Sequence, residues 1–152
     1  PAGPGAMGPS LALAPDGGIV LSWLEPAGEE TWALRFSRFD ATAATWSAAR
    51  TIATGSDWFV NWADFPSVTP LSDTDLMAVW FGNNPAPAGG AHDHHGTGYH
   101  ARYSLSADGG ATWSTPQRIT GESAVTEFTA VLALGKNARA LVAWLDGRDR
   151  AT

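Results

Sequence analysis

One short segment occurs three times in this chain: Ile19-Val20-Leu21-Ser22-Trp23, Leu76-Met77-Ala78-Val79-Trp80 and Ala140-Leu141-Val142-Ala143-Trp144. The three tryptophans stand 57 and 64 residues apart. Each copy follows a turn signal: Pro15-Asp16-Gly17-Gly18, then Ser72-Asp73-Thr74-Asp75, then Gly135-Lys136-Asn137. A short apolar run precedes each turn, and two such runs joined this way read as a β-hairpin. A chain that repeats a hairpin at this spacing is built from successive copies of one β unit.

A second pair of segments completes the unit. Trp32 to Ser37 aligns with Tyr99 to Ser104 at an offset of 67, and the same offset relates Thr45-Trp46-Ser47 to Thr112-Trp113-Ser114. Apolar and polar residues alternate in both copies, the period of a strand with one covered face. Tyr99, Ala101, Tyr103 and Leu105 then point one way, and His100, Arg102 and Ser104 the other. No helical period is visible. The expected fold is all-β, a β-propeller of four-stranded antiparallel blades. One blade spans 9–54, a second 65–120, and the first half of a third 127–152. Residues 1–8 read as a linker or mature N-terminus. About two and a half blades do not close a ring, which implies further blades of the same chain or other protein subunits.

Charge and composition narrow the function. Nine Lys and Arg against 15 Asp and Glu leave a formal charge of −6, whereas phosphate recognition needs a clustered basic face. Nucleic acid is therefore not an expected partner. No apolar run reaches the length of a membrane-spanning helix. The chain has no cysteine, so disulfides, a thiolate nucleophile and Cys-ligated zinc are excluded. Its 8 tryptophans and 17 glycines fit aromatics recurring among glycine-rich turns of repeated β units.

Ser106-Ala107-Asp108-Gly109-Gly110-Ala111-Thr112-Trp113 fits the pattern Ser-x-Asp-x-Gly-x-Thr-Trp at every defined position. In this Asp-box, Ser106, Asp108, Gly110, Thr112 and Trp113 read as structural. Asp108 can accept hydrogen bonds from turn N–H groups, Gly110 permits positive φ, and Trp113 can bury its ring between sheets. The first unit keeps only Thr45-Trp46, with Phe39, Ala41 and Ala43 at the other positions. The box resembles the bacterial neuraminidase repeat. Across about Ser10 to Arg150 the chain is similar to bacterial proteins of the exo-α-sialidase kind, through the Asp-box, Trp58 to Ser67, and Trp144-Leu145-Asp146-Gly147-Arg148. That resemblance implies a sialidase-like propeller of roughly six blades when complete, an extracytoplasmic location (periplasmic or secreted), and a glycan or glycoprotein ligand.

The candidate site residues lie on the loops that leave one end of such blades. The resemblance implies an acid/base aspartate, for which Asp64 stands before an innermost strand. Glu127 takes the analogous place one blade later, and Arg148 is a candidate for binding a substrate carboxylate. Asp57, Asn61, Trp62 and Asp146 are candidate ligand-binding residues on the same loops. Trp58 and Trp62 can stack on a sugar, and both also read as packing residues between blades. The family's Phe-Arg-Ile-Pro segment is absent: Phe65-Pro66 has no arginine between, and Tyr99 and Tyr103 sit within a strand rather than on a loop. Hydrolysis thus requires arginines and a tyrosine nucleophile from further blades. No cofactor is required for this chemistry. His92, His94 and His95 form a candidate site for a divalent metal, since imidazole suits zinc, copper or nickel. Two readings stay open, a glycan-binding propeller that in complete form hydrolyses sialylated or related glycans, and a non-catalytic propeller that serves as a protein-interaction subunit.

Overall fold

A computed structural model describes residues 1–84, 98–121, 126–135 and 138–147. These residues form eleven strands and no helix: β1 (Met7–Leu13), β2 (Ile19–Pro26), β3 (Trp32–Asp40), β4 (Thr45–Trp46), β5 (Arg50–Gly55), β6 (Ser67–Pro70), β7 (Leu76–Asn83), β8 (Tyr99–Ser106), β9 (Gln117–Arg118), β10 (Thr126–Ala133) and β11 (Ala140–Asp146). They make three antiparallel sheets in chain order. The first runs β1-β2-β3, and β3 is then paired by β4 near its end and by β5 along Trp32 to Phe36. The second is β6-β7-β8-β9, and the third is β10-β11. Strand β1 starts at Met7, which pairs with Leu24, so two residues read as linker belong to the first sheet.

The repeat read from the tryptophans is a repeat of register. Trp23 lies opposite Arg35 across β2 and β3, and Trp80 lies opposite Arg102 across β7 and β8. The attachment of the next segment is also repeated. Ser37 Oγ donates to the Ser47 carbonyl at 2.7 Å, and Ser104 Oγ donates to the Ser114 carbonyl at 2.6 Å. In return each partner's hydroxyl accepts a backbone N–H, from Arg38 and from Leu105, at 3.0 Å in both.

Strand β7 shows why the sheets stack. Leu76, Ala78 and Trp80 point into a core shared with Val20, Leu24, Leu34 and Phe36 of the first sheet. Met77, Val79 and Phe81 point the other way, into a core with Tyr99 and Ala101 against Val131 and Val142 of the third. A strand covered on both faces needs apolar residues at every position, hence the unbroken run Leu76 to Phe81. Each large side chain buried this way contributes about 1.5–3 kcal/mol. The outer faces of the stack differ: Leu11 and Leu13 of β1, and Leu132 and Leu141 of β10 and β11, are exposed.

Candidate functional site

Residues 56–66 join the first sheet to the second and carry most of the candidate residues. The segment opens with Trp58, which is only 6% exposed and lies 5.8 Å from the Trp80 ring. Phe59 N–H donates to the Phe81 carbonyl at 3.0 Å and Asn83 N–H to the Asp57 carbonyl at 2.8 Å, so this stretch pairs with the end of β7. Trp62 does the opposite: it is 84% exposed. The expectation of inter-sheet packing holds for Trp58 and fails for Trp62. Only Trp58 lies where the junction still hydrogen-bonds to β7. By Trp62 the chain has turned away.

Asn61 makes that turn. Its Oδ1 accepts the Ala63 and Asp64 N–H groups at 2.8 and 2.6 Å, an arrangement that asparagine favours because its short side chain reaches its own backbone. Its Nδ2 donates to Asp64 Oδ2 at 2.7 Å. The other Asp64 oxygen, Oδ1, accepts the Phe128 N–H of β10 at 3.1 Å. Asp64 is 5% exposed and so ties the junction to the third sheet. Phe128 has φ +47°, a conformation bulky residues rarely take. It lies where the β10–β11 register shifts between Glu127 and Ala130. The bulge frees the Phe128 N–H from the ladder and hands it to Asp64.

A cleft of about 450 Å³ opens beside this staple, lined among others by Ser10, Asp64, Phe65, Ser67, Phe128 and Thr129. Trp62 directly precedes the lining residue Ala63. Phe65 and Phe128 are exposed, the latter at 56%. The lining is mostly apolar, with the exposed rings of Phe65 and Phe128 and the residues Ser10, Ser67 and Thr69 among it, and Asp64 is the one ionisable residue among the described lining. Glu127 is brought next to this site through its neighbour Phe128, half-buried in β10 and paired with Leu145. Asp146 ends β11 opposite the buried Thr126. A proton-relaying carboxylate must reach substrate, whereas Asp64 has both oxygens held by protein donors. Arg148 and the histidines His92, His94 and His95 lie outside the described residues. Among the described residues no cluster of three or more His, Cys, Asp and Glu could hold a metal ion.

Asp57 belongs to a second, smaller opening of about 360 Å³, lined by Asp57, Asn83, Asn84, His100, Arg102 and Arg118. Arg102 Nη1 and Nη2 donate to its two carboxylate oxygens at 3.3 and 2.5 Å. This hydrogen-bonded ion pair holds the Asp57 carboxyl below the usual carboxylate range. Of this cluster the sequence singles out Asp57 and, through its alignment with Arg35, Arg102. Nothing in it points to Asn84 or Arg118, nor to Phe65 and Phe128 in the first cleft.

The Asp-box turn lies between β8 and β9 and faces the first sheet. Asp108 Oδ1 accepts the Thr112 N–H at 2.9 Å, and Oδ2 accepts the Thr112 hydroxyl at 2.6 Å. These bonds, with one from Ser106 Oγ at 2.7 Å, hold its carboxyl far below the ordinary aspartate range. Ser106 Oγ in turn accepts the Gly110 N–H at 2.8 Å. Gly110 has φ +83°, and a Cβ there would overlap the Phe36 ring tip. Trp113 meets the same ring edge-on at 5.8 Å and 80°. Arg50 completes the contact: its Nη2 donates to the Gly109 carbonyl at 2.7 Å, and its guanidinium sits 4.7 Å over Phe36. Asp108 shapes a turn, and the turn is a fitting that receives Phe36.

No protein-family model matches the chain, and a search of curated proteins finds no match either.

Proposed function

We propose that the three sheets are successive blades of a sialidase-like β-propeller, and that the cleft beside Asp64 binds a carbohydrate in an extracytoplasmic setting. The repeated register, the repeated serine attachment and the Asp-box turn docked on a neighbouring sheet support the architecture. The observation that carries the ligand is the exposure of Phe65 and Phe128 in the lining of a cleft that also holds Ser10, Ser67 and Thr69, with the exposed Trp62 one residue before the lining residue Ala63. Aromatic faces stack on the C–H faces of sugar rings, and short hydroxyl side chains exchange hydrogen bonds with sugar hydroxyls. The described lining contains no cation, so these residues favour a neutral sugar over an acidic one. Asp64 serves this site by shaping it. Hydrolysis of a sialylated glycan would draw its arginines and tyrosine from further blades.

The test is a titration of the protein with neutral and sialylated oligosaccharides, followed by tryptophan fluorescence. Binding of a neutral oligosaccharide is expected, with affinity reduced at least tenfold in Trp62→Ala, about 1.4 kcal/mol. Equal binding by Trp62→Ala would remove the aromatic platform from the proposal. A second reading, a non-catalytic interaction propeller, is favoured by the exposed leucines on both outer faces. Capture of a defined protein subunit without any glycan response would establish it instead.

A further inference from the structure

Five side chains from four parts of the chain form one hydrogen-bonded line beneath the smaller opening. Asp57 comes from the junction, Asn84 follows β7, His100 and Arg102 lie on β8, and Arg118 on β9. The protonation of His100 can be read from its partners alone. Arg102 Nε lies 2.9 Å from His100 Nε2. A guanidinium only donates, so Nε2 is the lone-pair nitrogen. On the other side, His100 Nδ1 lies 2.9 Å from Asn84 Oδ1, which also accepts Arg118 Nη2 at 2.8 Å. Arg118 fixes that amide, because only its oxygen can accept from a guanidinium. Nδ1 therefore carries the proton. The ring is the neutral Nδ1–H form and bonds at both nitrogens while only 2% exposed.

A second proton has no place here. It would set N–H against N–H between His100 and Arg102, and bring a third positive charge between Arg118 of β9 and Arg102 of β8. Asp57 of the junction opposes this charge, and it is already engaged by both Arg102 Nη groups.

We infer that His100 is an acid-released latch. Neutral, it ties β8 to Asn84 at the end of β7 and, through Arg102, to the junction that carries Asn61, Trp62 and Asp64. Protonated, it releases Arg102 and with it the grip on Asp57. Burial first, and then Arg118 and Arg102, push the His100 pKa down to about 4. The latch is thus closed at neutral and mildly acidic pH and opens near the lower value. The first sheet has no counterpart, for Ala33 stands at the position equivalent to His100.

The measurement is long-range ¹H–¹⁵N NMR of the imidazole rings in the full chain, labelled at histidine and at tryptophan indole nitrogens, from pH 7.5 to 3.5. His100→Gln assigns the signal. If that variant does not fold, replacement of His92, His94 and His95 by glutamine leaves His100 as the sole histidine. The expected result is an Nδ1–H tautomer at neutral pH, titrating near pH 4, with Trp58 and Trp62 indole signals shifting at the same midpoint. An Nε2–H tautomer, a midpoint near 6.5, or indole signals indifferent to His100 would each overturn the latch. If the chain unfolds before His100 titrates, the neutral-pH tautomer decides: Nδ1–H supports the latch and Nε2–H overturns it.

Discussion

The first and second sheets carry the same elements at an offset of 67 residues, yet only the second keeps its Asp-box. What both retain is the buried serine, Ser37 or Ser104, that fastens the following segment. In the first sheet Asp40 Oδ1 instead accepts the Thr42 and Ala43 N–H groups at 2.8 and 3.0 Å, and Ala44 takes φ +52°. A turn can therefore be closed without the box. The difference lies in what the turn meets. The second sheet's box receives Phe36 and sits under Arg50. Among the described residues, the first sheet's Trp46 contacts Phe39 of its own sheet, 5.1 Å away, and stays partly exposed. The box glycine Gly110 is needed because a neighbouring sheet arrives there at contact distance.

That account can be broken at Phe36. Phe36→Ala should destabilise the chain by about 3–5 kcal/mol, read as a lower urea midpoint. Gly110→Ala should cost about 2–4 kcal/mol, because it combines strained backbone with overlap. In the Phe36→Ala background the overlap disappears, so the second substitution should cost markedly less. The reverse change in the first sheet, Ala43→Gly, should move stability by less than about 1 kcal/mol. Additive costs at Gly110 and Phe36 would separate the box from its docking role.

The serine pair tests the part that both sheets share. Ser37→Ala and Ser104→Ala should each cost about 1–2 kcal/mol, since each hydroxyl is buried and its loss leaves a carbonyl unsatisfied. Unequal losses, with one near zero, would show that the sheets are fastened differently despite matching geometry.

A pH dependence centred on the second sheet tests the comparison from another side. An unfolded histidine takes its proton near 6.5, whereas folded His100 takes one only near 4. Between these values the unfolded chain binds more protons, so stability falls as pH falls from 6.5 towards 4. Asp57, whose carboxyl is held low by Arg102, acts in the same direction further down, as its ion pair is lost on protonation. Hydrogen exchange at pH 6.5 and pH 4.5, corrected for intrinsic rates, should show amide protection in β7 and β8 dropping while β2 and β3 hold. A uniform loss across both sheets would remove His100 from its place in the second.

Much of this was legible along the chain because it is periodic or local. The tryptophan hairpins, the alternation of β8 and the Asp-box turn depend on neighbours a few residues away, and they fold where the pattern says. Trp58 and Trp62 show the limit. They lie four residues apart in one loop with similar surroundings, yet one is core and the other faces solvent. What separates them is a pairing to Phe81 and Asn83 more than 20 residues on. Asp64 is a candidate acid/base through the sialidase resemblance, standing as it does before a strand. Its occupation by Asn61 and Phe128 depends on a bulge in a strand 64 residues later.

By itself, then, the amino-acid order determined the all-β character, the hairpin pairings and the turn chemistry, since hydrophobic period and turn residues act at short range. The pairing of both β4 and β5 with β3 makes the first sheet five-stranded rather than four-stranded. Only the tertiary structure decided which aromatics stay open, which carboxylates are held, and that His100 lies neutral between two arginines. Those outcomes depend on which distant groups share a buried space, where each donor and acceptor must find a partner across sheets that no local pattern connects.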